Sequence, residues 1–142
     1  MTPRELFVQE ALTWVGTRYH HQACVKRHGN AAGGVDCIMI LIASAKVAGL
    51  VPQDFDPRPY DQHWYLHRDE EKYLNGILNF CTRTETPQRG DIALYKFGRV
   101  VSHGAIYLDA DHVLHAFAEH REVCITESRT LADRFHSYWS LD

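Results

Sequence analysis

Three side chains in this sequence have the types and positions that nucleophilic chemistry needs: Cys37, His103 and His115. Cys37 follows Gly33-Gly34-Val35-Asp36 and opens the run Ile38-Met39-Ile40-Leu41-Ile42-Ala43-Ser44-Ala45-Lys46-Val47-Ala48-Gly49. Two glycines allow a tight turn, Asp36 is a good N-cap, and Cys37 becomes the first helical residue. A thiol at the positive end of a helix ionises more readily and attacks better near neutral pH. The competing reading is a core thiol, since free cysteine is among the most buried residue types. What decides is whether the chain also supplies a base and a group that orients that base.

The helix behind Cys37 is apolar nearly all round, with only Ser44 and Lys46 polar, so it belongs in the protein interior. Gly49 suits the left-handed position past its end, and Lys46 lies in the last turn, where the dipole favours a cation. Upstream, Thr2-Pro3-Arg4-Glu5 matches a capping box with Pro3 at the first helical position. Leu6, Phe7, Val8, Ala11, Leu12, Trp14 and Val15 then recur at helical spacing and predict an amphipathic helix ending at Gly16. Residues 16–36 read as a long loop holding Tyr19-His20-His21-Gln22, and loops of that length tend to be functional. A proline-rich extended stretch runs from Val51 to Tyr60. A third helix is predicted to begin at His67, with Tyr73, Leu74, Ile77, Leu78 and Cys81 on its apolar face, and Thr82 to Arg89 form a polar link.

Beyond that link the period changes from helix to strand. Candidates are Asp91–Phe97, Val101–Leu108, His112–Phe117 and Arg121–Thr126, with Phe135, Tyr138 and Trp139 docking as a short strand or apolar tail. Helices first and antiparallel strands second define an α+β class, and the length suits one domain over residues 1–142. A loop at Asp109–Asp111 would pair Leu108 with His112, His103 with Phe117 and His115 with Ala105. Both histidines then share a sheet face as diagonal neighbours. If the central helix sets its N-terminus against that face, His103 can serve Cys37 as base and His115 can orient it. A strand histidine bonded to a carbonyl, or a metal site built from two or more histidines, is open at this point, although no helical His-Glu-x-x-His occurs.

Composition narrows the classes. The chain has 142 residues, 45% of them hydrophobic and 23% charged, with a net charge of −3, as in an ordinary soluble globular protein. There is no basic block of the kind that tracks phosphates, so nucleic acid is not an expected partner. No stretch approaches the length that crosses a bilayer, so no membrane role is expected, and residues 1–5 begin no signal-peptide core. Synthesis in a cytoplasm, with any export by a signal-independent route, is the expectation. Cys24, Cys37, Cys81 and Cys124 are widely spaced and suggest neither a disulfide framework nor a zinc finger.

Asp36-Cys37 opening an apolar helix, Arg89-Gly90-Asp91-Ile92 leading a strand, Ser102-His103-Gly104-Ala105-Ile106-Tyr107 and His115-Ala116 together resemble the NlpC/P60 family of papain-like cysteine peptidases. The similarity spans nearly the whole chain. It is nearest the phage-tail and prophage branch, through Gly16-Thr17-Arg18-Tyr19-His20-His21-Gln22, Asp56-Pro57-Arg58-Pro59-Tyr60 and His67-Arg68-Asp69-Glu70-Glu71. The resemblance implies a papain-like fold, its nucleophile helix packed on a C-terminal antiparallel sheet. It implies hydrolysis of peptidoglycan stem peptides, usually between D-glutamate and the diamino acid. Cys37 would be nucleophile, His103 general base and acid, and His115 the orienting residue. Tyr19, Asp36 and Ser102 would contact substrate or oxyanion. Neither metal nor organic cofactor is implied; the partners are peptidoglycan peptides and phage tail proteins, and delivery is with a virion tail or by release to the wall. The pattern is departed from at Ile38-Met39, where Ser-Gly is usual, at Arg18, where proline is usual, and at Lys26–Ala32, a polar enlargement of the loop. A structural tail-assembly module and an amidase or acyltransferase are the alternative functions of such a chain.

Overall fold

A computed structural model describes residues 1–58, 76–98 and 100–141. Helix α1 spans Pro3–Leu12, and its capping box is formed on both sides: Thr2 Oγ1 accepts from Glu5 N at 3.2 Å, and Glu5 Oε2 accepts from Thr2 N at 3.0 Å. The helix stops four residues short of Gly16. Thr13, Trp14 and Val15 instead close tighter bonds to the carbonyls three residues back.

Strands β1 (Cys24–Val25) and β2 (Gly34–Val35) form an antiparallel ribbon within the stretch expected to be loop. Gly33 makes the return possible: its φ is +67°, and a Cβ there would lie 2.3 Å from the Val25 carbonyl oxygen. The enlargement at Lys26–Ala32 is docked rather than loose, since Lys26 Nζ bonds Glu10 Oε2 at 2.8 Å and Thr13 Oγ1 at 2.6 Å on α1. Arg18 N donates to Ala32 O at 3.2 Å, a bond that proline at this position could not make.

Helix α2 spans Cys37–Val47, and Ile38, Met39, Ile40, Leu41 and Ile42 are each at most 4% exposed. Each such side chain contributes about 1.5–3 kcal/mol by leaving water. The bulk of Ile38 and Met39 therefore goes into the core and not into a cleft beside the thiol. Gly49, at φ +73°, ends the helix, and Leu50 N reaches back to Ala45 O at 2.9 Å. The third helix expected from His67 lies largely outside the described residues; 76–78 are helical, and Cys81, half-buried against the core, donates its thiol to Ile77 O at 3.3 Å.

The remaining strands are β3 (Thr82–Thr84), β4 (Ile92–Phe97), β5 (Val100–Asp109), β6 (His112–Phe117), β7 (Glu122–Glu127) and β8 (Phe135–Ser140). They form one antiparallel sheet in the order β3-β8-β4-β5-β6-β7. Strand β3 falls in the segment expected to be a polar link; it is an edge strand stitched to β8 by backbone bonds, with two of its three residues exposed. α1 and α2 cover one face of the sheet, burying Ile92, Leu94, Ile106, Leu114, Ala116 and Val123. A 3-10 segment, Ser128–Arg134, crosses the other face and buries Leu131 against Ala93, Tyr95, Ala105, Val113 and Phe117.

Arg89-Gly90-Asp91 ties the first helix to this sheet. Arg4 Nη1 donates to Asp91 Oδ1 at 2.6 Å and to Arg89 O at 3.0 Å, and Arg4 Nη2 donates to Ser140 Oγ at 2.8 Å. Gly90 lies under the Arg4 side chain at φ +95°, where a Cβ would be 2.6 Å from Arg4 Cγ.

Candidate active site

The hairpin of β5 and β6 carries both imidazoles. Its register, Ile106↔Leu114 and Tyr107↔Val113, is the one expected from the spacing. The turn itself differs from expectation. Asp109 pairs with His112 and Leu108 is left over as a bulge, so the loop is Ala110-Asp111 rather than Asp109–Asp111. The cause is an Asx turn: Asp109 Oδ1 accepts from Asp111 N at 2.8 Å and bonds His112 Nδ1 at 2.9 Å.

His103 Nε2 and His115 Nδ1 are 2.7 Å apart, so the two rings share a face and a hydrogen bond. The β5–β6 pairing runs from the turn to Ile106↔Leu114, and beyond it this side-chain bond bridges the seam. On its far side His115 Nε2 meets Thr126 Oγ1 of β7 at 2.9 Å. Aromatic rings enclose the pair. His115 stacks on Phe117 at 4.6 Å, and the His103 ring has Phe97 at 5.5 Å, Phe117 at 5.6 Å and Tyr95 at 6.1 Å.

Burial keeps both rings neutral. Desolvation, followed by the charge of His115, holds His103 well below the ordinary histidine value. Desolvation and then His120 lower His115 from 6.5 to about 4. An unfolded chain would take up protons near 6.5 that these rings refuse, so native stability is full above that pH and declines as pH falls from 6.5 toward about 4. His115 alone accounts for about 3 kcal/mol of that loss. Urea midpoints measured across this window should fall with acidification, and a His115→Gln variant should flatten the decline.

The thiol approaches the backbone beside this pair from the other face of the sheet. The spacing of these residues predicts α2 with its N-terminus on the face carrying the imidazoles. Instead the helix packs on the opposite face, where a Cβ at Gly104 would lie 3.0 Å from Leu41 Cδ1. Pairing between β4 and β5 shifts between Tyr95↔His103 and Lys96↔Val101, leaving Ser102 as an extra residue. A bulge of this kind re-aims neighbouring side chains. Cys37 Sγ donates to the Ser102 carbonyl oxygen at 3.9 Å. The structure thus joins the two imidazoles directly and brings the thiol to the backbone beside His103. Ser102 enters the site through this carbonyl. Cys37 and His103 are each 7% exposed.

Asp36 is 1% exposed and acts as a structural node. Its Oδ1 accepts from Ile38 N at 3.1 Å and Met39 N at 2.9 Å, capping α2, while Oδ2 accepts from Gln22 N at 2.7 Å. That last bond holds Gln22 at φ +62°, and Arg58 Nη1 donates to Gln22 O at 3.0 Å. Tyr19 is half-buried, and its backbone pairs with Val35. Desolvation, then the charges of Cys37 and Asp36, raise its phenol far above the ordinary value, so it stays a hydrogen-bond donor.

Thr126 and the aromatic enclosure are the site components that sequence reasoning missed. Thr126 closes the predicted strand Arg121–Thr126, and strand parity opposite Val113 places it on the imidazole face. Among the described residues no group of three or more His, Cys, Asp or Glu could hold a metal ion. A cavity of about 600 Å³ lies elsewhere on the imidazole face, with Tyr95, His112, Glu127, Arg129, Phe135 and Tyr138 in its lining and neither Cys37 nor the histidine pair.

No family model matches the sequence, and no curated protein matches it significantly. Solved structures do resemble the fold. The P60 domain of an antigen from M. avium subspecies paratuberculosis is 16% identical with a TM-score of 0.61, the match covering 97% of this chain and 93% of that one. The NlpC/p60 domain of the peptidoglycan hydrolase SagA is 18% identical with a TM-score of 0.59, covering 96% and 97%. RipD from Mycobacterium tuberculosis, described as a non-catalytic NlpC/p60 domain protein adapted to peptidoglycan binding, is 14% identical with a TM-score of 0.57, covering 98% and 96%. The fold is that of NlpC/P60 domains, α+β and papain-like.

Proposed function

We propose, on the premise of an NlpC/P60 fold, that this chain is a cysteine peptidase acting on peptidoglycan stem peptides, at the bond between D-glutamate and the diamino acid. The observation that carries the reading is the bonded His103–His115 pair beside Ser102, whose carbonyl receives the Cys37 thiol. In this reading His115 engages Nε2 of His103, leaving Nδ1 as the basic nitrogen. The Cys37 side chain rotates from the Ser102 carbonyl to that nitrogen, a contact that tightens when substrate fills the site. His103 takes the thiol proton and the sulfur attacks the peptide carbonyl carbon. The Cys37 backbone N–H at the start of α2 and the protonated Tyr19 phenol stabilise the oxyanion. His103 then passes its proton to the leaving amine, and water releases the acyl group.

Residues 1–142 serve as one peptidase domain in this account, working in a phage or prophage tail or released to the wall. Support for that setting comes from the motif resemblance at residues 16–22 and 56–60. The matching segment at residues 67–71 lies outside the described residues. RipD gives a specific reason to keep a second reading, a peptide-binding module of the same fold that performs no hydrolysis.

Incubation with defined stem peptides, followed by mass determination, separates the two. Peptidase action yields two fragments whose masses together exceed the substrate by one water. Binding without turnover leaves the substrate intact and retained on the protein.

A further inference from the structure

We propose that Thr126 is a positioning residue whose hydroxyl accepts the Nε2 proton of His115 and thereby leaves Nδ1 of His103 unprotonated. The inference rests on the reading of His103 as the base and adds the group that decides which of its nitrogens carries the proton.

The contacts form a chain of three groups. His103 Nε2 is 2.7 Å from His115 Nδ1, and His115 Nε2 is 2.9 Å from Thr126 Oγ1. Each contact holds one proton, so only two arrangements satisfy both. In the first, His103 Nε2–H donates to His115 Nδ1, and His115 Nε2–H donates to the Thr126 oxygen. In the second every donor is reversed, and His103 then carries its remaining proton on Nδ1. A ring protonated there cannot accept a proton from sulfur.

The threonine end sets the direction. His103 and His115 are 7% and 0% exposed, whereas Thr126 is half-exposed at the sheet surface. Its hydroxyl proton can point to water while its oxygen accepts from the buried ring, and an alcohol does both at once. The reverse arrangement would turn that proton inward and place a donor, Nδ1–H, on the buried His103 ring. Strand pairing makes the placement firm: Thr126 is the partner of Val113 and Cys124 the partner of His115, so the hydroxyl stands diagonally across from the ring it meets. Both rings are held neutral by burial, so the network has a single tautomer to choose and no net charge to accommodate.

The test uses the whole chain, labelled with nitrogen-15, as wild type, Thr126→Val and Thr126→Ser. Long-range proton–nitrogen correlation spectra near neutral pH read the tautomer of each ring. Wild type should show Nε2–H on both His103 and His115. Thr126→Val should move His115 toward Nδ1–H, and on stem peptides kcat should fall about tenfold to a hundredfold, the usual effect of losing an outer partner that orients a working imidazole. KM should stay within about twofold, because the hydroxyl touches no substrate. Thr126→Ser keeps the hydroxyl and should restore kcat to within about threefold of wild type. A wild-type spectrum showing Nδ1–H on His103 overturns the inference, as does a folded Thr126→Val with unchanged tautomers and kcat. The wild-type spectrum is decisive even where the valine variant fails to fold. A wild type that cleaves no stem peptide while showing Nε2–H on both rings would sink the peptidase reading and leave the tautomer assignment standing.

Discussion

Cys37→Ala is expected to lower stem-peptide hydrolysis by a factor of about 10⁴ or more, down to the rate left by binding and oxyanion contacts alone. Cys37 is the thiol that meets the backbone beside His103, whereas Cys124, across from His115, lies 3.5 Å from His120 Nδ1. The fold should survive the change. Removing one buried sulfur from a helix start costs about 1 kcal/mol, and a melting temperature should move by only about 3 °C in a chain of this size. His103→Ala should cost nearly as much, and the double variant little more than either single one, because nucleophile and base act as a unit. Progress curves on a defined muropeptide, with thermal melts of each variant, check all three. Undiminished cleavage by a folded Cys37→Ala would end the assignment of the nucleophile.

The second large effect concerns stability. Asp36→Ala removes the acceptor for Ile38 N, Met39 N and Gln22 N together. Loss of an N-cap alone costs about 1 kcal/mol, and each buried donor left without a partner adds about 1–3 kcal/mol. A total near 4 kcal/mol is expected, lowering the melting temperature by about 12 °C. Activity should fall as well, since the start of α2 and the left-handed Gln22 both rely on this carboxylate. Asp36→Asn separates the two roles: an amide oxygen can still cap α2, but its NH2 group meets the Gln22 N–H donor to donor. An intermediate loss is expected, read from urea midpoints. An Asp36→Ala protein as stable as wild type would contradict the burial and bonding of this group.

Much of this was legible in the chain because the signals are local. The α2 cap at Asp36, its end at Gly49 and the box at Thr2–Glu5 each need only a few neighbouring residues. Parity along two adjacent strands was enough to put His103 and His115 together. What escaped depends on distant or irregular pairing. Ser102 bulges because β4 and β5 shift register, and neither segment carries a residue that announces it. That shift also hides how a helix on one sheet face brings its first residue to the backbone beside His103 on the other. Thr82-Arg83-Thr84 has no alternation to read and becomes a strand only because β8 offers it an edge. Arg4 and Asp91 are 87 residues apart, and no spacing rule connects them.

The insertion of β8 between β3 and β4 governs when the protein can first work. Arg4 is tied to Ser140 across 136 positions of chain, and β4, the neighbour of the strand bearing His103, gains its second partner only from residues 135–140. Pairings of such long range form late, after the loops between them have closed. As the polypeptide leaves the ribosome, Cys37 and His103 are both translated well before the strand that locks their sheet. A sheet built this way is completed only once residues 135–140 have been synthesised.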